Sequence, residues 1–189
     1  MSDFDQISDQ APVFWRRLDL PGCETARIVK LQETYRLEGA AVFFETAPCR
    51  LSYTVICDFA WRTRSAWVDG WVGETPIGLE IQVDAAQKWW MNGVEWPVVA
   101  GCVDLDLNFS PSTNLLAIRR SALAEGQAAE VRAAWLHFPS FSLEPLAQVY
   151  QRTGSNTYHY ESSGGSFSTE LTTNPAGFVI DYPPFWSQG

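Results

Sequence analysis

The sequence predicts an all-β protein, a single-domain, many-stranded antiparallel β-roll or partly open barrel, and three observations carry that prediction. Leu79, Ile81 and Val83 alternate with Glu80, Gln82 and Asp84, and Val103, Leu105, Leu107 and Phe109 alternate with Asp104, Asp106 and Asn108. A two-residue period places successive side chains on opposite faces of a half-buried strand. Asn92-Gly93 separates Trp89-Trp90-Met91 from Val94-Glu95-Trp96, and that dipeptide suits a type I′ hairpin because both turn positions need positive φ. Strand-like segments then follow one another along the chain at turn-length gaps.

In chain order, strands are expected around 13–18, 24–31, 34–45, 49–58 and 63–72, then at 79–84 and in the 89–96 hairpin. Pro97 ends the second hairpin arm or marks a sheet edge. Further strands are expected at 103–109, 115–120, 131–138, 146–152, 157–161, 166–173 and 178–182, roughly fifteen in all by this two-residue reading. Ser121–Ala134 is rich in alanine, a helix former, but Gly126 near its centre makes it a turn between two strands. A short helical turn is allowed at Ser142–Gln148. No repeat or linker divides the chain, so residues 1–189 read as one domain. So many connected strands must curl up or split into packed sheets to hide their edges, and either solution leaves a concavity lined by alternate side chains.

Composition narrows the function. Thirteen Lys and Arg stand against twenty-two Asp and Glu, a net charge of −9, which repels phosphate backbones and excludes nucleic acid as a natural partner. Cys23, Cys49, Cys57 and Cys102 form no C-x-x-C pair, and there are two His, so zinc-ligand spacing is absent. Met1–Gln10 is polar and acidic and lacks the features of a secretory signal. No apolar run approaches the ~18 residues of a membrane span. The expectation is a cytoplasmic protein with reduced thiols and no transmembrane segment.

Candidate chemistry is sparse. Asp104 and Asp106 share a strand face and can in principle hold calcium or act as acid and base. Without further oxygen ligands they read as a solvated face, or as partners of Arg119 and Arg120. His159, between Tyr158 and Tyr160, reads as an exposed strand residue, and no G-x-S-x-G elbow accompanies either His. The cysteines read as small buried residues. Ser162-Ser163-Gly164-Gly165-Ser166 lacks the lysine and helix of a phosphate loop and reads as a hairpin tip. No catalytic residue, metal or cofactor is expected.

Aromatic residues are the unusual feature: nine Trp, eleven Phe and six Tyr. Trp61, Trp67, Trp71, Trp89, Trp90 and Trp96 can stack on sugar rings, line an acyl cavity or simply fill the core. Arg62, Arg64, Arg119 and Arg120 suit the oxygens of an anionic head group, or the surplus of acidic side chains. Tyr150, Tyr158, Tyr160 and Tyr182 offer hydroxyls to a sugar. The expected ligand residues are Trp61, Arg62, Arg64, Trp89, Trp90, Arg119, Arg120, Tyr150, Tyr158, Tyr160 and Tyr182.

Several blocks together resemble a known family. They are Trp15 with Glu24, Tyr53 through Asp58-x-x-Trp61-x-Thr63-Arg64, Gly101-Cys102-Val103-Asp104-Leu105-Asp106-Leu107, Ser110-Pro111-Ser112-Thr113-Asn114, Ile118-Arg119-Arg120, Gln148-Val149-Tyr150 and Gly177 to Pro183. In this order they resemble the bacterial family named "Putative glycolipid-binding". The resemblance implies a single-domain roll of many antiparallel strands, similar to lipoprotein-carrier folds, and a glycolipid or other amphiphile as ligand; it supplies no ligand residues. Ala117 stands where the family pattern has proline, and the reading expects a looser turn there.

Three functions remain open. The leading one is a carrier that buries an acyl chain in the concave interior, at roughly 0.8 kcal/mol per methylene. A protein-interaction or homo-oligomerisation module would have a filled interior and an exposed apolar face. A hydrolase-like enzyme on a lipid or sugar would place a perturbed carboxylate or His inside the cavity.

Overall fold

The computed structural model describes residues 12–189; the polar segment Met1–Gln10 lies outside the described residues. Fifteen strands form one sheet. The first eight are β1 (Val13–Arg17), β2 (Gly22–Lys30), β3 (Thr34–Phe44), β4 (Pro48–Asp58), β5 (Thr63–Val72), β6 (Thr75–Val83), β7 (Trp89–Met91) and β8 (Val94–Glu95). After a 3-10 turn at Pro97–Val99 come β9 (Asp104–Leu107) and the helix α1 (Asn114–Ser121). The chain ends with β10 (Ala128–His137), β11 (Ser142–Arg152), β12 (Thr157–Ser162), β13 (Phe167–Thr173), β14 (Val179–Tyr182) and β15 (Trp186–Gln188).

The spatial order is β8-β7-β6-β5-β4-β3-β2-β1-β15-β14-β13-β12-β11-β10-β9. Two antiparallel meanders thus meet where the first and last strands pair, Trp15 opposite Gln188. Trp15 is fully buried there, and its indole N–H donates to the Val179 carbonyl at 2.6 Å. Asn92 and Gly93 take φ of 51° and 78° between β7 and β8, the turn their residue types require. The sheet does not close into a barrel by strand pairing. Its far ends are instead stitched by isolated bonds: Thr63 N–H to the Val103 carbonyl (3.2 Å), Leu105 N–H to Thr63 Oγ1 (3.0 Å), and Trp89 Nε1 to the Cys102 carbonyl (3.0 Å). The edge strands β8 and β9 are short, which limits the unpaired backbone each one presents.

Three sequence expectations fail. Residues 115–120 are helical, because β9 pairs with β10 in parallel and parallel neighbours require a crossover that a hairpin cannot make. The run Leu115-Leu116-Ala117-Ile118 is buried on every side, so no polar alternation marked its period. Ala117 therefore continues a helix and loosens no turn. Second, Ser142–Gln148 begins β11, paired along its length with β10, with no helical turn. Third, Asp104 and Asp106 do not form a solvated face; the alternative, pairing with the arginines, holds for Asp104 with Arg120. Asp104 is 2% exposed and accepts two hydrogen bonds from Arg120, at 3.0 and 2.5 Å. Asp106 accepts Gln148 Nε2 at 2.7 Å. Asp106 is partly buried and lines an interior cavity.

Candidate functional site

The concave side of the roll is largely filled. Leu37, Leu51, Ile81, Leu105, Leu107, Leu116 and Phe178 are fully buried within one apolar cluster. What remains open inside is a cavity of about 250 Å³, below the roughly 300–1,000 Å³ of most ligand pockets. Its polar lining includes Arg17, Asp106, Ser110, Asn114 and the Tyr160 and Tyr182 rings, and its aromatic lining includes Trp135, Phe138, Phe167, Phe185 and Trp186. Phe167 stacks on Phe185 with centroids 5.3 Å apart, and Tyr160 and Tyr182 meet edge to face at 5.9 Å. Gln148 Nε2 bridges Asp106 and the Tyr160 hydroxyl. Burial pushes the Asp106 carboxyl from 3.8 up to about 6, against the pull of Gln148.

Behind this cavity lies a polar cluster in the core. Glu24 on β2 is 1% exposed, and its Oε1 accepts the Tyr53 hydroxyl and the Ser110 hydroxyl, each at 2.5 Å. Tyr53 Oη in turn accepts the Ser112 hydroxyl at 2.7 Å. Burial drives the Glu24 pKa from 4.5 up to about 8, the hydroxyl donors and Arg17 only partly offsetting it. The second oxygen, Oε2, has no hydrogen-bond partner among the described residues. Gly39 makes this arrangement possible: it pairs with Tyr53 across β3 and β4, and a Cβ there would sit on the Tyr53 ring and hydroxyl. The glycine lets that ring cross β3 to reach β2. Ser110 belongs to both assemblies, lining the cavity on one side and bonding Glu24 on the other.

A second concavity, a cleft of about 720 Å³, opens on the flank of the roll. Trp61, Arg62, Gln87, Arg119 and Arg120 line it with Phe59. Trp61 is buried and stacks on Tyr35 at 4.2 Å, nearly parallel. The Arg119 guanidinium lies 5.5 Å from its ring centre on another side.

The expected ligand residues therefore divide. Trp61, Arg62, Arg119 and Arg120 meet in the cleft, and Tyr160 and Tyr182 in the cavity. Tyr158 lines a third depression beside Ile118 and Arg152. Trp89 and Tyr150 are core residues, Tyr150 donating to Asn114 Oδ1 at 2.7 Å. Arg64 pairs with Asp58 at 2.7 Å. Trp90 is partly buried near the β8 edge and lines neither concavity. Of the other tryptophans, Trp67 and Trp71 are exposed on the outer face.

Reading the sequence missed Asp106 and Ser110 as cavity residues and Glu24 as a core carboxyl. A signal existed for Glu24: it alternates in step with Ala26 and Ile28, on the inward side of β2. Gln87 was missed as well, though it stands three residues after Asp84 as Trp61 stands after Asp58.

Other chemistry is weakly represented. Burial pushes the Cys57 thiol up to about 12, and all four cysteines are free. His159 bridges Glu161 and Glu170 on the sheet surface, at 3.0 and 2.9 Å, and these bonds raise its pKa. Among the described residues no group of His, Cys, Asp and Glu could hold a metal ion. No helix among them is long and apolar enough to cross a membrane.

Comparison with known proteins bears on this geometry. The family model described as "Putative glycolipid-binding" matches residues 12–188. A crystal structure of a DUF1089 family protein from Pseudomonas aeruginosa is similar at 29% identity, with a TM-score of 0.79, over 97% of this chain and 99% of that one. No curated protein matches the sequence.

Proposed function

The chain belongs to the "Putative glycolipid-binding" family, and from that premise we propose that it binds an amphiphile by a hydroxyl-rich, sugar-like head group in the interior cavity. The observation that carries this reading is the mixture of polar groups and aromatic rings in one lining. Asp106, Ser110, Asn114 and Tyr160 supply donors and acceptors in the same cavity as the rings of Trp135, Phe138, Phe167 and Phe185. Sugar rings present hydroxyls at their edges and C–H groups on their faces, so such a lining addresses both. The volume, equivalent to about eight waters at ~30 Å³ each, suits a head group rather than a buried acyl chain. The chain of the ligand then runs outward over the half-buried rings of Phe167 and Phe185.

Native mass spectrometry of the purified protein, beside an organic extract of it, tests this. The expected result is an amphiphile at one-to-one ratio that is lost in the Asp106→Ala and Trp135→Ala proteins. An apo mass, with no binding across glycolipid and glycan panels, overturns it.

One observation favours a second reading. A carboxyl with its pKa near 6 in a ligand cavity can donate or accept a proton near neutral pH, and Asp106 has that property. Glycoside hydrolysis would need a second carboxylate, and Glu45 lines the same cavity. If Asp106→Asn keeps the ligand bound and abolishes its turnover, the protein is an enzyme; if wild type leaves every bound ligand intact, it is a binder.

A further inference from the structure

Three segments that share Asp or Asn at the first position and Ala at the third fold into the same five-residue turn. They run from Asp58 to Arg62, from Asp84 to Lys88 and from Asn174 to Phe178. In each, a side-chain oxygen of the first residue accepts the backbone N–H of the fifth, at 3.0, 2.9 and 3.0 Å. The carbonyl of the first residue accepts the N–H of the fourth (2.9, 3.1 and 2.9 Å), and its N–H donates to the carbonyl of the fifth (3.0, 3.1 and 2.9 Å). The fourth residue is thereby forced to positive φ: 62° at Trp61, 58° at Gln87 and 92° at Gly177.

Glycine is the natural occupant of that position, and the third turn uses it. The other two place a tryptophan and a glutamine there. A bulky side chain at positive φ costs free energy and persists where the surroundings over-determine it, a pattern concentrated at binding sites. Both strained residues line the same cleft. The third turn serves it too, because its Ala176 carbonyl accepts Arg119 Nε at 2.8 Å and a Cβ on Gly177 would come within 3.1 Å of that nitrogen.

The cleft's contents agree on a ligand class. Three guanidinium groups line it, those of Arg62, Arg119 and Arg120, and no carboxylate does, in a chain of net charge −9. Arg120 is committed to Asp104. Arg62 is exposed and pairs with no carboxylate among the described residues. Arg119 is held in place by the third turn and sits partly desolvated, which lowers its pKa. Gln87 Oε1 is buried without a hydrogen-bond partner; a buried acceptor left so is unfavourable until something supplies a donor. One guanidinium suffices for a planar carboxylate, whereas two from different elements suit a tetrahedral group.

We propose that this cleft binds the phosphate of a hydroxyl-bearing phosphomonoester, with Arg62 and Arg119 on the phosphate, the Gln87 amide on an adjacent hydroxyl and the Trp61 ring as the apolar wall. The proposal stands apart from the cavity reading, since the two sites share no lining residue. The same phosphate chemistry can arrive on a free small molecule or on a lipid head group.

Calorimetric titration with inorganic phosphate, with glucose 6-phosphate, and with phosphatidylcholine vesicles with and without phosphatidic acid tests the proposal and separates the two sources. Saturable one-to-one binding of the sugar phosphate alone assigns a free small molecule, and binding of the phosphatidic acid vesicles assigns a lipid head group. Arg62→Ala is expected to weaken binding roughly tenfold with either source, Gln87→Gly to do so for the hydroxyl-bearing sugar phosphate, and His159→Ala on the sheet surface to leave binding unchanged. Gln87→Gly keeps the turn, because glycine accepts its φ, so the melting temperature holds or rises while binding falls. No saturable binding of any of the probes, or binding indifferent to both cleft substitutions, overturns the proposal.

Discussion

The interior cavity and the flanking cleft lie at opposite ends of α1, Asn114 lining one and Arg119 the other, about 7.5 Å apart at 1.5 Å per residue. They are built from opposite materials. The cavity and the cluster behind it combine strand residues with Ser110, Ser112 and Asn114 from the β9–α1 segment, and there, beside the one guanidinium of Arg17, burial pushes the Glu24 and Asp106 carboxyls toward the neutral form. The cleft is made by two turns and the end of α1, its charges are guanidinium groups, and its strain sits in the turn backbone. The core can bury the Glu24 carboxyl because the Tyr53 hydroxyl, reaching across β3, and the Ser110 hydroxyl of the β9–α1 loop meet it there. A turn offers no such enclosure, so the cleft relies on charges that stay ionised when half exposed. Substitutions in the two regions should therefore fail in different ways.

The largest effect is expected in the sheet. Gly39→Val drives a side chain into the Tyr53 ring and the Thr25 carbonyl and removes the Glu24 hydrogen bond. Overpacking and an unsatisfied carboxyl together should cost about 4 kcal/mol in urea unfolding. A loss below about 1 kcal/mol would mean that the sheet yields as readily as a turn.

The next effect is pH dependence. The unfolded chain ionises Glu24 near 4.5 and Asp106 near 3.8, whereas the folded protein holds their protons to about 8 and about 6. The folded state binds the extra protons, so stability falls as pH rises through each window, at about 1.4 kcal/mol per pH unit for each group. Between pH 6 and 8 Glu24 contributes to this slope and Asp106 has largely finished. Glu24→Gln should flatten that interval relative to wild type. Parallel pH curves for the two proteins would place the titration in some other group.

In the cleft the expected sign reverses. Gln87→Gly relieves a positive φ and should stabilise by about 1 kcal/mol, seen as a higher urea midpoint. A destabilised protein would show that the Gln87 side chain holds the turn together. The smallest effect belongs to the first turn's rim: Arg64→Ala removes a half-exposed pair with Asp58 and should cost no more than about 0.5 kcal/mol, leaving the turn to its backbone bonds.

How much of this was legible in the sequence differs along the chain. Strands from Val13 to Val83 and the Asn92-Gly93 turn follow from alternation and turn chemistry, because a half-buried strand writes its two faces into every second residue. The motif blocks also hold the residues of the core cluster, Glu24, Tyr53, Ser110 and Ser112, though nothing in their spacing says that they touch. Their contacts span 29, 57 and 86 residues. The alternation of β9 read Asp104 and Asp106 as wet, since a polar residue in step with solvent and one in step with a buried partner look alike. The helix α1 escaped because its run from Leu115 to Ile118 is buried on every side and shows no polar alternation.

Composition and periodicity alone determined an all-β, acidic, aromatic-rich chain without metal or nucleophile motifs, because those properties depend on local sequence and on counts. Tertiary structure alone decided which aromatics fill the core and which line a cavity, that the Arg pair parts company (Arg120 to Asp104, Arg119 to the Gly177 turn), and that three distant turns gather at one cleft. Those outcomes depend on which strands become neighbours when the sheet curls, and loop closure across more than a hundred residues leaves no periodic trace in the chain.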